Sequence, residues 1–306
     1  GADVEAAQQV LLDALQPVEF DPPAEPVDPS GIDKPICIIT CGGGNLYCKT
    51  VQEGPGAAAT PAGVEAKTFI ADDPARNAVG VRTAVSRGAG AIILVAVDPK
   101  SVAGPLAEAQ EQGVKVVSTA NTNKNDPPLP GTDANATVDF SFEGKVNAAY
   151  AVASKGADTN AYCATTLSFP TTRFVCDAFK AELARLCPDC PYEEGDYNLT
   201  SLAQDVRSGI QSQIQSNPDL NWIMCTTDLL CQYAVPAIQA AGARDRVTAG
   251  SQTGQLEPNL GWVRDGNIQK IDVGLPQSWN GWAAVDQALR LVAGEKPAPR
   301  GGNLPV

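Results

Sequence analysis

The stretch that decides the fold is Ala91-Ile92-Ile93-Leu94-Val95-Ala96-Val97, which is followed directly by Asp98 and Pro99. An uninterrupted apolar run of this kind is typical of a strand covered on both faces, as in a parallel sheet with helices on either side. Asp98 is expected to cap the helix that begins near Ser101. The stretch therefore predicts one strand of a strand–helix repeat, with its carboxyl end at Val97.

The same alternation of short apolar runs and helical patterns extends along most of the chain. In the first half, we expect strands at 36–40, 67–70, 91–97 and 114–119, with helices near 50–59, 74–87 and 102–112. In the second half, we expect strands at 161–165, 192–197, 222–225, 247–249 and 270–273, with helices near 172–186, 202–215, 230–241 and 279–293. This alternation predicts an α/β protein with two doubly wound parallel-sheet lobes.

The first 33 residues form a separate segment. Apolar residues at spacings of three and four over 1–19 predict a helix, and the proline-rich stretch from Asp21 to Pro29 predicts an extended strap or a disordered leader. We place an N-terminal lobe at 34–153 plus 276–306 and a C-terminal lobe at 154–275. Chain crossings between the lobes are expected near 150–155, 250–254 and 274–277.

The composition argues against nucleic-acid binding and against an enzyme. Lys and Arg number 22 against 35 Asp and Glu, a net charge of −13, whereas phosphate backbones are bound by basic residues. The chain has no histidine, which excludes Ser-His-Asp and Cys-His catalysis and His-ligated zinc. The glycines at 42–44 lack the spacing of phosphate-binding loops. We expect no enzymatic activity, no cofactor and no metal.

Nine cysteines point to structural disulfides and hence to an oxidising compartment. We expect three bridges between close neighbours and one between a strand and the next helix: Cys41–Cys48, Cys187–Cys190, Cys225–Cys231 and Cys163–Cys176. Cys37 lies in a buried-strand pattern and is expected to be the free thiol. A zinc or redox role for the Cys187-Pro188-Asp189-Cys190 motif is the alternative, but a zinc site would need a second knuckle of this spacing.

Polar and aromatic side chains follow the predicted strands where each strand ends. In open parallel sheets, ligands bind beyond the carboxyl ends of the strands. Each of these residues has a structural alternative: Arg173 could pair with a surface acid, for example, and Trp282 at helical spacing is expected in the core. Together they predict a cleft for a small polar ligand, and the candidate ligand-binding residues are Asn45, Tyr47, Asp139, Phe169, Arg173, Thr227, Asp228, Gln252 and Trp279.

From about residue 34 to residue 294 the chain resembles the type I periplasmic solute-binding proteins, the sugar-binding group allied to ribose-binding protein. The resemblance rests on the order of five stretches: Asn45-Leu46-Tyr47-Cys48, the run from Gly88 to Pro99, Gln112-Gly113-Val114-Lys115-Val116-Val117, Asp139 with Gly144-Lys145, and Thr226-Thr227-Asp228. The chain departs from the family at ligand positions, because Phe140 and Thr227 replace asparagines and Gln252 replaces the aspartate of the family's Gly-x-Asp. Arg173 is two residues out of register with the family's arginine.

The resemblance implies an extracytoplasmic solute receptor whose two lobes, joined by three crossover strands, close around a sugar or polyol. Such a receptor would act as a monomer, deliver its ligand to a membrane ABC permease, and be tethered by a lipid anchor upstream of residue 1. Two alternatives remain open: a ligand-sensing module of the same fold, such as a chemoreceptor co-ligand, and a binder of an aromatic or amino-acid-like compound.

Overall fold

The computed structural model describes residues 1–18, 25–42, 46–71 and 73–298. The chain divides into two compact units, which we call unit 1 (Gly1–Val18 with Phe140–Leu275) and unit 2 (Glu19–Asp139 with Pro276–Val306). Each unit contains one five-stranded parallel sheet. No helix in these described ranges is both long enough and apolar enough to span a membrane.

Ten strands and ten α-helices follow one another along the described chain, in alternation except where β5 follows β4 directly. The strands are β1 (Ile36–Thr40), β2 (Ala66–Ile70), β3 (Ala91–Val95), β4 (Lys115–Thr119), β5 (Ala134–Ala136), β6 (Ala161–Thr165), β7 (Tyr192–Asp196), β8 (Trp222–Cys225), β9 (Thr248–Thr253) and β10 (Gln269–Gly274). The helices are α1 (Val4–Ala14), α2 (Leu46–Ala59), α3 (Pro74–Ser86), α4 (Ala103–Glu111), α5 (Phe140–Lys155), α6 (Pro170–Leu186), α7 (Leu202–Ser216), α8 (Asp228–Ala240), α9 (Glu257–Arg264) and α10 (Gln277–Val292).

The two sheets have the same strand order. Unit 2 has the order β2-β1-β3-β4-β5, and unit 1 has β7-β6-β8-β9-β10 when read in the same sense. In each unit the order reverses between the first and third strands, so β1/β3 and β6/β8 are the topological switch points. This confirms the expected pair of doubly wound parallel-sheet lobes.

The sheet of unit 2 is covered on both faces, as the apolar run at 91–97 predicts. β1 and β3 are buried along their whole length. Ile36, Ile38 and Ile93 belong to one core cluster, whereas Ile39 and Leu94 belong to a second. Successive residues of a strand point to opposite faces, so each strand supplies both cores and must be apolar throughout.

Three elements were not predicted from the sequence: β5, α5 and α9. The residues at 150–155 lie inside α5 and those at 250–254 lie largely within β9, and both stretches belong to unit 1. α5 packs so closely on α6 that a Cβ on Gly144 would lie only 2.2 Å from the carbonyl oxygen of Val175. The first boundary between units consequently falls at 139/140 instead of 153/154, and the later one falls at 275/276.

The N-terminal segment is divided between the two units. α1 packs on α5 and α6, and the backbone N–H of Asp3 donates to the carbonyl of Leu186 at 2.7 Å. The predicted strap lies partly in 19–24, outside the described residues. Its later part packs on unit 2, where Val27 and Ile32 contact the core and the guanidinium of Arg290 donates to the carbonyl of Glu25 at 2.6 Å.

All four expected disulfides are present, and Cys37 is the buried free cysteine. The paired Cα atoms lie between 5.3 and 6.2 Å apart, within the usual range for a disulfide. Burial raises the pKa of the Cys37 thiol, which disfavours its reactive thiolate form.

The close contact of α2 with α10 in unit 2 depends on two glycines. A Cβ on Gly281 would lie 2.6 Å from both Pro55 Cδ and the carbonyl oxygen of Val51. A Cβ on Gly54 would lie 2.7 Å from the carbonyl oxygen of Ser278. Neither helix can carry a side chain at this contact without moving away from the other.

We expect Gly281→Ala to lower the free energy of unfolding by about 1–3 kcal/mol, because the added methyl group overpacks the contact. Gly56→Ala on α2 is the matched control: its Cβ would meet no atom within 4 Å. There alanine is expected to stabilise by up to about 1 kcal/mol through its better helix propensity. Urea unfolding of both variants measures this, and equal effects would contradict the proposed crowding at residue 281.

Thiol labelling tests the cysteine pairing. With a maleimide reagent we expect almost no labelling of the native chain, since Cys37 is buried, and one label per chain in denaturant without reductant. After reduction in denaturant all nine cysteines should react. More than one label before reduction would show that at least one of the four bridges is absent.

Candidate functional site

The carboxyl edges of the two sheets are the candidate sites, one in each unit. All strand pairs are parallel, so every strand of a sheet ends at the same edge. In doubly wound sheets this edge, near the switch point, is where ligands bind.

Backbone strain is concentrated at these edges. Of the four non-glycine residues with positive φ in the described chain, Ala96 (49°) follows β3, Ala120 (59°) follows β4 and Thr253 (123°) ends β9. A positive φ is unfavourable for residues with a side chain, and such strain is characteristic of functional sites. The fourth, Asn125, is of a type that tolerates this conformation.

In unit 2, buried polar atoms without a partner lie just beyond β4. The side chain of Asn121 is 4% exposed; its Nδ2 donates to the carbonyl of Val97 at 3.1 Å and to Ser118 Oγ at 2.9 Å. Its Oδ1 has no hydrogen-bond partner among the described residues, and neither has the buried hydroxyl of Thr119. The hydrogen bonds donated by Nδ2 therefore fix this side chain, and its Oδ1 is left as an acceptor at the edge of the sheet.

The first turn of α10 lies at the same edge. At the other end of the helix, the side chain of Val292 lies 3.3 Å from the position that a Cβ on Gly90 would take, at the amino end of β3. A helix of this length therefore begins near the carboxyl edge of the sheet. Asn280, in this first turn, is 1% exposed, and its Oδ1 has no hydrogen-bond partner in the described part of the chain.

The edge of unit 1 has the same chemistry. Gln252, 3% exposed near the end of β9, donates from Nε2 to the carbonyl of Thr226, while its buried Oε1 has no partner among the residues that the structure describes. The buried hydroxyl of Thr166, directly after β6, is also unpartnered. Thr226 follows β8, and the side chain of Gln252 reaches its carbonyl. Thr166 at the end of β6 and Gln252 therefore both lie beside the β6/β8 switch point of this sheet.

The unpartnered atoms at the two edges are mostly acceptors. Asn121, Asn280 and Gln252 each offer a carbonyl oxygen, and Thr119 and Thr166 offer hydroxyls that can donate or accept. A buried polar atom without a hydrogen bond costs about 1–3 kcal/mol, so a molecule that supplies hydroxyl donors here would gain that free energy. An anion would instead place its negative charge against acceptor oxygens.

Three of the sequence-predicted ligand residues are engaged by the protein itself. The guanidinium of Arg173 forms a bidentate pair with Glu194 (3.0 and 2.9 Å) and a 2.9 Å ion pair with Asp177, and these acids raise its pKa. The hydroxyl of Thr227 caps α8 by accepting from the N–H of Leu230 at 3.4 Å. Asp228 is 1% exposed and accepts hydrogen bonds from protein donors on both carboxylate oxygens.

The other predicted residues have varied surroundings. Asp139 is the last residue of the first segment of unit 2, and Phe169, 8% exposed, precedes α6. Trp279 on α10 is 49% exposed, with its ring centroid 6.2 Å from that of Trp282. Trp282 is 41% exposed, so the expectation that it lies in the core is wrong. Asn45 lies outside the described residues, and of Tyr47 only its backbone in the first turn of α2 is described.

Sequence reasoning missed Thr119, Asn121, Thr166 and Asn280. The signal for the first three was available, because each ends or follows a strand that was predicted at almost the observed bounds. Asn280 could not be found in this way, since its burial follows from the close contact of α10 with α2.

A family model described as a periplasmic binding protein domain matches residues 36–296. Similar solved structures include an Agrobacterium vitis ABC transporter solute-binding protein bound with α-D-tagatopyranose (TM-score 0.77, 17% identity, 90% of this chain and 93% of that one). A second Agrobacterium vitis protein has bound allitol (0.76, 17%, 89% and 93%). A Mycobacterium smegmatis solute-binding protein has bound glycerol (0.76, 20%, 89% and 91%).

A comparison with curated protein sequences finds no match. At these identities the solved structures show a shared fold, and the family match covers most of the chain. The two sheets of identical strand order and the match over residues 36–296 lead to the same conclusion: the chain belongs to the periplasmic binding protein domain family.

Proposed function

We propose that this chain is an extracytoplasmic solute-binding protein that captures a small neutral polyhydroxylated ligand, a sugar or polyol, for an ABC importer. The observation that carries the ligand class is the set of buried acceptor oxygens without partners at the carboxyl edges of both sheets. The hydroxyls of a polyol supply the donors that these oxygens lack. The tagatose, allitol and glycerol bound to proteins of similar fold agree with this class.

The chemistry of the side chains at each edge decides which ligand contacts we propose for each unit. In unit 2 we propose that Asn121 and Asn280 accept hydrogen bonds from ligand hydroxyls. Asp139 is a third proposed contact, and Asn45, which lies outside the described residues, is a fourth. The exposed indole of Trp279 offers an apolar face to the C–H side of a sugar ring. In unit 1 we propose Gln252 and Thr166 as the polar contacts, with Phe169 supplying apolar surface.

Arg173 is a weaker candidate than the sequence suggests. Glu194 occupies two of its guanidinium nitrogens and Asp177 also engages one of them, so a ligand would have to compete with fixed carboxylates. Its Nε is nevertheless buried without a partner, and this single donor is what Arg173 could still offer. The importer, the monomeric state and the lipid anchor stay predictions that follow from the family.

A thermal-shift screen tests the ligand class. We expect allitol, tagatose, glycerol and pentoses to include binders that raise Tm, because a ligand that binds only the native state stabilises it by about 2.7 kcal/mol at a hundredfold excess over Kd. Gluconate and glucuronate, which add a carboxylate to a similar frame, serve as controls and should be without effect. A shift given only by the acids, or only by amino acids or aromatic acids, would contradict the proposal.

Removal of single acceptors tests the site. With a ligand from that screen, Asn121→Leu and Gln252→Leu should each weaken binding about tenfold or more, which is about 1.4 kcal/mol, as measured by calorimetry. Asn217→Ala is the control, since this amide bonds to Asn160 at the opposite, amino edge of the unit 1 sheet. Unchanged affinity in both leucine variants, with the fold retained, would place the ligand elsewhere.

A further inference from the structure

Two carboxyl groups adjoin one another beside the carboxyl edge of unit 1. Asp228 begins α8 and is 1% exposed. Its Oδ1 accepts from the hydroxyl of Ser251 at 2.7 Å, and its Oδ2 accepts from the backbone N–H groups of Gln255 (2.9 Å) and Leu256 (3.2 Å). Three of the roughly four acceptor positions of this carboxylate are therefore taken by the protein.

The second carboxyl group belongs to Asp272 on β10. Its Oδ1 accepts from the N–H of Gly254 at 3.1 Å, whereas its buried Oδ2 has no donor among the described residues. Asp272 lies opposite Ser251 in the β9–β10 pairing, and Ser251 donates to Asp228, which brings the second carboxyl group beside the first. A side-chain hydrogen bond with Asp228 is among the causes that raise the pKa of Asp272. Two ionised carboxylates at this separation would repel each other, and neither could donate a hydrogen bond to the other.

The surrounding groups do not neutralise the pair. The amide of Gln269 donates to Ser251 Oγ, and the amide of Asn259 on α9 donates to the backbone carbonyl of Asp228. Of the charged side chains on neighbouring elements, Glu257 on α9 is exposed and paired with Arg264. Burial and, after it, the like charge of Lys270 lower the pKa of Lys155 on α5. Burial, which has the largest effect, and the charge of Asp228 together raise the pKa of Asp272 to about 8, while the N–H of Gly254 and the hydroxyl of Ser251 act in the opposite direction.

We propose that Asp228 and Asp272 share one proton, carried by Asp272 and donated to Asp228, and that the protonated pair fixes the 254–256 loop at the carboxyl edge of unit 1. Asp272 holds Gly254, and Asp228 holds Gln255 and Leu256. With the shared proton, all acceptor positions of Asp228 are filled. Asp228 is then a positioning residue that organises the edge, in place of the ligand contact that the sequence predicts.

The consequence for ligand binding rests on the proposed function. Gln252, one of the proposed contacts, stands two residues before the loop on the same strand end. A loop released by loss of the proton would have to be ordered again when a ligand binds. Affinity is therefore expected to fall as the pH rises through about 8, the value at which Asp272 loses its proton.

The sign for stability follows from the direction of the pKa shift. The pKa of Asp272 is higher in the folded chain than in the unfolded one, so the folded chain binds the proton more tightly. The stabilisation is complete below the ordinary aspartate range and is lost as the pH rises toward about 8. Between about pH 5 and pH 7, this one group should lower the folding equilibrium constant about tenfold per pH unit.

The test is urea unfolding between about pH 5 and pH 9 for the wild type, Asp272→Asn and Asp245→Asn. The asparagine at 272 keeps an oxygen for Gly254 and supplies a permanent N–H donor for Asp228, so it should remove the tenfold-per-unit dependence and leave the protein more stable than the wild type above pH 7. Asp245 is an exposed aspartate of the same unit, and its variant should follow the wild type. Identical profiles for the wild type and Asp272→Asn would overturn the shared proton.

A spectroscopic measurement on the wild type covers the case in which Asp272→Asn fails to fold. Infrared spectra should contain the carbonyl stretch of one protonated carboxyl group at about pH 6.5, and this band should disappear above about pH 9. Absence of the band at about pH 6.5 would overturn the proposal without any variant.

Ligand titrations separate the two proposals. A polyol from the screen should bind the wild type more weakly as the pH rises through about 8 and bind Asp272→Asn with little change. Equal pH dependence in both proteins would overturn the link between the proton and the edge. A screen that finds no binder at any pH would contradict the proposed function, while unfolding and infrared spectra would still decide whether the proton is shared.

Discussion

The structure depends on one constraint: the central strands of a parallel sheet that is covered on both faces must be apolar along most of their length. In unit 2 the strands β1 and β3 are buried throughout, and their alternate side chains supply two separate cores. A polar group between these layers would need a partner of its own there. Several buried amides and hydroxyls, such as those of Asn121, Thr166 and Gln252, lie instead where strands end, and parallel strands all end at the same edge.

This constraint explains why strands were easier to predict than helices. β1, β6 and β8 occur at the predicted bounds, because continuous apolar runs of four or five residues have few other solutions. α5 was missed because it is buried on several sides against α1 and α6, so its sequence lacks a polar face with helical periodicity. The short α9 carries a weak pattern for the opposite reason, since Asn259 is its one buried residue.

The candidate site was predictable in position but only partly in composition. The strand-end rule correctly drew attention to the ends of β8 and β9, yet it could not show how Asp228 and Gln252 differ. Both are buried, but the carboxylate of Asp228 accepts from the hydroxyl of Ser251 and the backbone N–H groups of Gln255 and Leu256, whereas Gln252 keeps one oxygen without a partner among the described residues. Asp272 was not predicted as a site residue, because polar and apolar residues alternate in Lys270-Ile271-Asp272 as they do in a partly exposed strand. These differences depend on contacts between residues far apart in sequence.

Three of the four disulfides join a strand, or the residue after it, to the helix that follows. Cys41–Cys48 does so after β1, Cys163–Cys176 after β6 and Cys225–Cys231 after β8. These strands border the switch points of the two sheets, and the Cys163–Cys176 cross-link encloses the turn that carries Thr166 and Phe169, two of the proposed contacts. Turns that are already covalently restrained lose little conformational entropy when a ligand arrives. Oxidation of the chain thus supplies, at the time of folding, part of the order that binding would otherwise have to impose.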